Sequence, residues 1–117
     1  MGAQFDLVTL DSPSPDDLGR FWAAALDLVE VQREDGDRWI VLATESGVRR
    51  IGIQRGATRV GSVHLDLSCD LADFDDETRR LIELGATMIR EPRREDYGSI
   101  VNLADPDGNP FDLCAYR

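Results

Sequence analysis

The chain carries one histidine, His64, in the run Val63-His64-Leu65-Asp66-Leu67-Ser68, so any imidazole chemistry must happen there. A second polar residue stands out near the C-terminal end. Asp112 lies between Phe111 and Leu113, inside a run that otherwise reads as a strand. Carboxylates are poor strand residues, so its presence needs a reason. On neighbouring strands, a carboxylate orients an imidazole and favours its charged form. Such a pair can serve as an acid/base, as a polar anchor for a ligand, or as two donors for a divalent ion. It can also be a mutually satisfied polar pair with no chemistry. Strand alternation puts His64, Asp66 and Ser68 on one face, and Leu65, Leu67 and Cys69 on the other. Asp112, Cys114 and Tyr116 share a face opposite Phe111 and Leu113. Asp66 is therefore a weaker candidate for the same site, or a solvated carboxylate. The two cysteines face different sides and have no zinc-motif spacing, so they read as small hydrophobes. No glycine loop for phosphate is present, and no motif pairs a serine or cysteine nucleophile with the histidine.

The elements that must position these residues follow from periodicity. Gln4–Leu10 alternates as a strand. Ser14 is placed to cap a helix with Pro15 at its first position and acids in its first turn. Leu18, Phe21, Trp22 and Ala25 then form one apolar face, and the helix ends near Asp27. Short strands follow at Leu28–Arg33, Arg38–Ala43 and Arg50–Arg55, with an Asp-Gly turn signal at 34–37. Gly56–Arg59 reads as a linker. The pattern then restarts. Val60–Cys69 is a strand, and 70–73 opens a helix with Phe74, Thr78, Leu81 and Ile82 on one face and Gly85 at its end. Strands follow at Ala86–Glu91, Gly98–Leu103 and Phe111–Tyr116. Asp105-Pro106-Asp107-Gly108-Asn109 is a turn that sets the register of its flanking strands.

The chain is thus βαβββ twice, module 1 about 4–55 and module 2 about 60–117, within a single domain, 1–117. Short turns between the last three strands of each module require antiparallel pairing, which excludes a doubly wound parallel sheet. The expected fold class is α+β, with two modules forming a curled mixed sheet around a cavity and helices on the outer faces. Leu7 in module 1 answers to His64 in module 2. A net charge of −10 argues against nucleic acid and anionic membrane surfaces, and suits a cationic small molecule or simple solubility. No run approaches the ~20 apolar residues of a membrane span. The N-terminal stretch has no basic region before an apolar one, and a cytoplasmic location is expected.

The stretches LVTLDSPSPDDLGRFWAAAL, VHLDLSCDLADFDDETRRLIELGATMI and LADPDGNPFDL cover most of the chain. On them the chain resembles the vicinal oxygen chelate superfamily of glyoxalase I, bleomycin-resistance proteins and extradiol dioxygenases. It looks most like the small glyoxalase-like proteins. The resemblance implies four inward-facing ligand positions, which fall on Leu7, on Gly52 or Gln54, on His64 and on Asp112. Leu7 and Gly52 offer no donor, so no complete metal set is expected. His64 and Asp112 would hold a divalent metal if one binds, with help from Gln54. Trp39, inward by analogy, could stack on a planar or cationic ligand, or be plain core. Arg49, Arg50, Arg93 and Arg94 read as solvated charges.

Two functions remain open at this level. One is a glyoxalase-like lyase or isomerase, metal-free or weakly metal-dependent, acting on a small oxygenated substrate through His64 and Asp112. The other is a bleomycin-resistance-type protein that sequesters a drug or metabolite without chemistry. Ligand contacts from Leu7, Trp39, Gln54 and Asp66 are expected in either case. The resemblance also implies a homodimer.

Overall fold

The computed structural model describes residues 4–61 and 64–117. The chain divides into two compact units, Met1–Arg59 and Val60–Arg117. Unit 1 runs β1 (Val8–Ser12), α1 (Pro15–Leu26), β2 (Val29–Glu34), β3 (Trp39–Ala43) and β4 (Arg49–Arg55). Its sheet has the order β1-β4-β3-β2, with β1 parallel to β4 and the other pairs antiparallel. Unit 2 runs β5 (Leu65–Ser68), a short 3-10 turn at Leu71–Asp73, α2 (Phe74–Leu84), β6 (Thr87–Glu95), β7 (Gly98–Ala104) and β8 (Pro110–Tyr116). Its sheet order, β5-β8-β7-β6, repeats the first. The α+β class expected from the duplication is the one observed.

In unit 1 the spacing of Leu18, Phe21, Trp22 and Ala25 buries one face of α1. That face lies on Ile40 and Ile53. A Cβ built on Gly19 would sit only 3.5 Å from the Ile53 Cδ1 and 3.8 Å from the Ile40 Cδ1. Each such fully buried side chain contributes about 1.5–3 kcal/mol over an exposed one. Asp27 ends the helix in the left-handed region at φ 55°, ψ 50°, as read from the sequence. Asp35 and Gly36 also take positive φ, 50° and 70°, the signature of a twisted hairpin turn.

Several boundaries differ from expectation. β1 begins at Val8, so Gln4–Leu7 precede the strand. Ser14 occupies the cap position of α1, but its side chain caps nothing. Instead the Ser14 N–H donates to the Ser12 Oγ at 3.0 Å, and Pro15 at the first helical position brings no N–H that needs an acceptor. The strand expected at Val60–Cys69 is regular only over Leu65–Ser68. Its residues Ser62 and Val63 lie outside the described residues. Ile82 of α2 is exposed rather than packed, while Phe74, Thr78 and Leu81 are buried. β6 extends to Glu95, well past the expected Glu91, and its register slips between Met88 and Arg90 and again between Arg90 and Arg93.

The turn at 105–109 is built as its composition suggested. Asp105 is buried, and its Oδ1 accepts the N–H groups of Asp107 at 3.0 Å and Asn109 at 2.9 Å. The Asn109 amide donates to the Asp105 Oδ2 at 2.9 Å. This carboxylate is spent on backbone donors, so it sets the start of β8 and with it the register of Asp112.

Candidate functional site

β5 and β8 pair in parallel with Asp66 opposite Asp112, and β7 places Asn102 on the other side of Asp112. Residues paired across a sheet share a face, so Asp66, Asp112 and Asn102 form one polar row. The opposite face carries Phe111, Leu113 and Ala115, all buried. This division follows directly from the alternation of the sequence Pro110–Tyr116. His64 immediately precedes β5 and falls on the polar side with Asp66. Its Nε2 stands 3.3 Å from the Asp66 Oδ1 and 3.5 Å from the Asp112 Oδ2. Asp112 is the most enclosed of the three, with 21% of its side chain exposed against 47% for His64 and 66% for Asp66.

Asp66 therefore stands with the expected pair, and the candidate site becomes a group of three. One donor atom from each residue lies within 4.8 Å of the other two. Two carboxylates directly opposite each other on adjacent strands repel. A cation between them would relieve that repulsion. The donor set of one imidazole nitrogen and two carboxylate oxygens suits Mn, Fe or Zn. The 3.3 and 3.5 Å separations are near the ~3 Å edge shared by two neighbouring ligands on an octahedral ion with bonds of about 2.1 Å. The residues present thus fit a divalent metal.

Two residues that the sequence reading left aside complete the row. The Asn102 Nδ2 donates to the Asp112 Oδ1 at 2.5 Å, and the Arg93 Nη1 donates to the Asn102 Oδ1 at 2.8 Å. Arg93 was expected to be solvated, but it lies on β6 with 24% of its side chain exposed. The sequence did hold a signal for Asn102, a lone amide in the apolar run Ser99-Ile100-Val101-Asn102-Leu103-Ala104.

In unit 1, Thr9 pairs with Gly52 as Asp66 pairs with Asp112, and Leu7 precedes β1 as His64 precedes β5. Gly52 is thus the counterpart of Asp112. Gln54 pairs instead with Asp11 and Trp39 and is displaced from that row by two residues. The Trp39 indole covers Gly52. A Cβ built there would lie 2.3 Å from the Trp39 Cη2. Leu7, Thr9 and Gly52 bring together one hydroxyl at most, so unit 1 does not repeat the donor group. Cys69 offers no ready nucleophile, because burial and the nearby Glu77, Asp73 and Asp70 push its thiol pKa up. Both cysteines are free.

Residues 7–114 match the model of the family described as "Glyoxalase-like domain". No curated protein sequence matches the chain significantly. Among solved structures, a glyoxalase/bleomycin resistance protein/dioxygenase family enzyme from Burkholderia phytofirmans is 19% identical, with a TM-score of 0.82 over 98% of this chain and 100% of that one. The fosfomycin resistance protein FosX from Mesorhizobium loti is 21% identical, with a TM-score of 0.76 over 100% and 94%. A mutant of FosX from Listeria monocytogenes is 20% identical, with a TM-score of 0.79 over 100% and 93%. That protein was solved in complex with Mn(II) and 1S,2S-dihydroxypropylphosphonic acid.

Proposed function

Because this chain belongs to the glyoxalase-like domain family, we propose that it binds a small oxygen-bearing molecule at His64, Asp66 and Asp112 and carries out lyase or isomerase chemistry there. The observation that carries this reading is the convergence of three donor atoms within 4.8 Å on the polar face of the second sheet. The three residues would hold a divalent cation, and the Listeria protein's Mn(II) complex makes Mn(II) the first ion to try. When bound, such an ion supplies Lewis-acid stabilisation of a developing oxyanion. The chain's own residues do the rest. With a cation held, the His64 imidazole would serve as one of its ligands rather than as a proton carrier. In the metal-free form of the site, Asp112, the more enclosed carboxylate, faces the imidazole, and His64, nearly half exposed, is the group placed to exchange a proton with a ligand. Asp66, more exposed still, faces the ligand side of the group.

A second reading, sequestration without chemistry, is favoured by unit 1. There the equivalent of Asp112 is a glycine under an indole, and Trp39 offers an aromatic surface in place of a donor. The family also implies a homodimer of this 13.0 kDa chain, which sedimentation would report as a species of twice that mass.

The deciding experiment is Mn(II) titration by calorimetry, with Zn(II), Ni(II) and Fe(II) as comparators. His64→Ala, Asp66→Asn and Asp112→Asn are each expected to weaken binding by at least tenfold while thermal unfolding without metal changes little. Metal uptake would direct substrate trials to hemithioacetals, epoxides and diols. Absence of uptake in the unmodified protein removes the metal-dependent reading and moves the trials to cationic drugs and aromatic metabolites.

A further inference from the structure

Asn102 stands between two side chains of opposite hydrogen-bonding character. Arg93 can only donate, and an ionised Asp112 can only accept. With Arg93 Nη1 donating to Oδ1 at 2.8 Å and Nδ2 donating to Asp112 at 2.5 Å, the Asn102 amide has one consistent orientation. The bond occupies the Asp112 Oδ1. The other oxygen, Oδ2, is the one that stands 3.5 Å from the His64 Nε2. We propose that Asn102 and Arg93 are positioning residues for this site, holding the Asp112 carboxylate so that Oδ2 is presented with His64 and Asp66. This rests on the reading of that group as the binding centre.

The backbone is arranged to bring Arg93 to this place. Arg90 pairs with Asn102, and Arg93 pairs with Ile100. Three steps along β6 therefore oppose two along β7. A strict alternation would put residues 90 and 93 on opposite faces, and the extra residue restores Arg93 to the face of Ile100 and Asn102. Pro92 lies within this slip, where a missing N–H costs no ladder bond. On its other side the guanidinium has the Glu95 carboxylate 3.4 Å from Nε, an ion pair without a hydrogen bond, so the bond from Nη1 to Asn102 is what fixes its place. Its positive charge lies one amide away from the opposed pair Asp66 and Asp112 and offsets part of their repulsion. Neither aspartate at position 102, which would repel Asp112, nor leucine, which has no polar atoms, could make both bonds.

The test uses the full chain with Asn102→Leu, Arg93→Met and Arg93→Lys, read by Mn(II) calorimetry and by crystal structures of the metal-free proteins. Asn102→Leu is expected to weaken Mn(II) about tenfold or more and to let the Asp112 carboxylate turn away from His64. Arg93→Met should give a smaller loss, and Arg93→Lys should recover most of it, because an ammonium can still donate to the Asn102 Oδ1. A folded Asn102→Leu protein with unchanged Mn(II) affinity and with Asp112 still 3.5 Å from His64 overturns the proposal. If the unmodified protein takes up no Mn(II), the binding reading fails on its own, and the metal-free structures decide whether Asn102 fixes Asp112. If Asn102→Leu does not fold, Arg93→Met supplies both readouts.

Discussion

Gly52 and Asp112 occupy equivalent places in their two sheets, yet one has no side chain and the other has the most enclosed carboxylate of the donor group. The reason at Gly52 is steric. The Trp39 ring lies where a Cβ would have to be, with the Cη2 at 2.3 Å and the Cζ3 at 2.9 Å. Gly52→Ala is expected to destabilise the protein by roughly 1–3 kcal/mol through overpacking. In a Trp39→Ala background the same substitution should cost much less. A double-mutant cycle by chemical denaturation measures this coupling, and additive losses would mean that the indole is not what excludes the side chain. Asp66 shows the converse lesson. Alternation alone placed it beside His64, but a carboxylate on an exposed strand face is usually just solvated. Only the register that sets it directly opposite Asp112 makes it a third candidate donor.

At the scale of elements, the turn at 105–109 decides which residue of β8 meets which residue of β7. Asp105 gathers two backbone N–H groups and the Asn109 amide in a buried position. Asp105→Ala leaves those donors without an acceptor and is expected to cost roughly 2–4 kcal/mol. Asp105→Asn can keep the amide oxygen on the two backbone donors, but its NH2 then meets that of Asn109, so a smaller loss is expected. Thermal unfolding of the two variants checks the order. Equal losses would show that the charge, not the backbone cradle, is what matters. β6 shows what element-level reading misses. The strand was expected to end at Glu91, so Arg93 read as solvated, although β6 runs on to Glu95 and Arg93 reaches Asn102.

For the whole molecule, the acid-base balance sets a pH dependence. Arg80 clasps Glu77 through two hydrogen bonds, at 2.6 and 2.9 Å, and holds its carboxyl below the usual range. Arg55 does the same for Asp37. A carboxyl whose pKa is depressed on folding contributes stability above its unfolded value, and that contribution fades as pH falls through the folded value. In both pairs the carboxylate is partly enclosed and the arginine about half exposed, so solvent screens each effect. The opposing term is the charge of −10, whose self-repulsion shrinks as the pH approaches the isoelectric point near 4.4. The expected melting temperature is therefore flat or slightly rising from about pH 7 to 5, and falling below about pH 4.5. Glu77→Gln should make the acid limb shallower. Superimposable acid limbs for the two proteins would exclude Glu77 as a contributor. Among the described residues, no helix is long and apolar enough to cross a membrane.

The sequence by itself determined the duplication, the α+β class, the two helices and their buried faces, and the polar side of β5 and β8. These depend on periodicity and turn chemistry, which are local properties of the chain. It also singled out His64, the one imidazole of the chain, and Asp112, a carboxylate inside an apolar strand. Register, by contrast, belongs to a pair of strands and cannot be read from either one alone. Only the tertiary structure placed Asp66 opposite Asp112, assigned Gly52 rather than Gln54 to the equivalent row, and carried Arg93 across a bulge to Asn102. A slip of one residue in a strand reverses the face of every side chain beyond it, and it is that choice of face which turns scattered polar residues into a site.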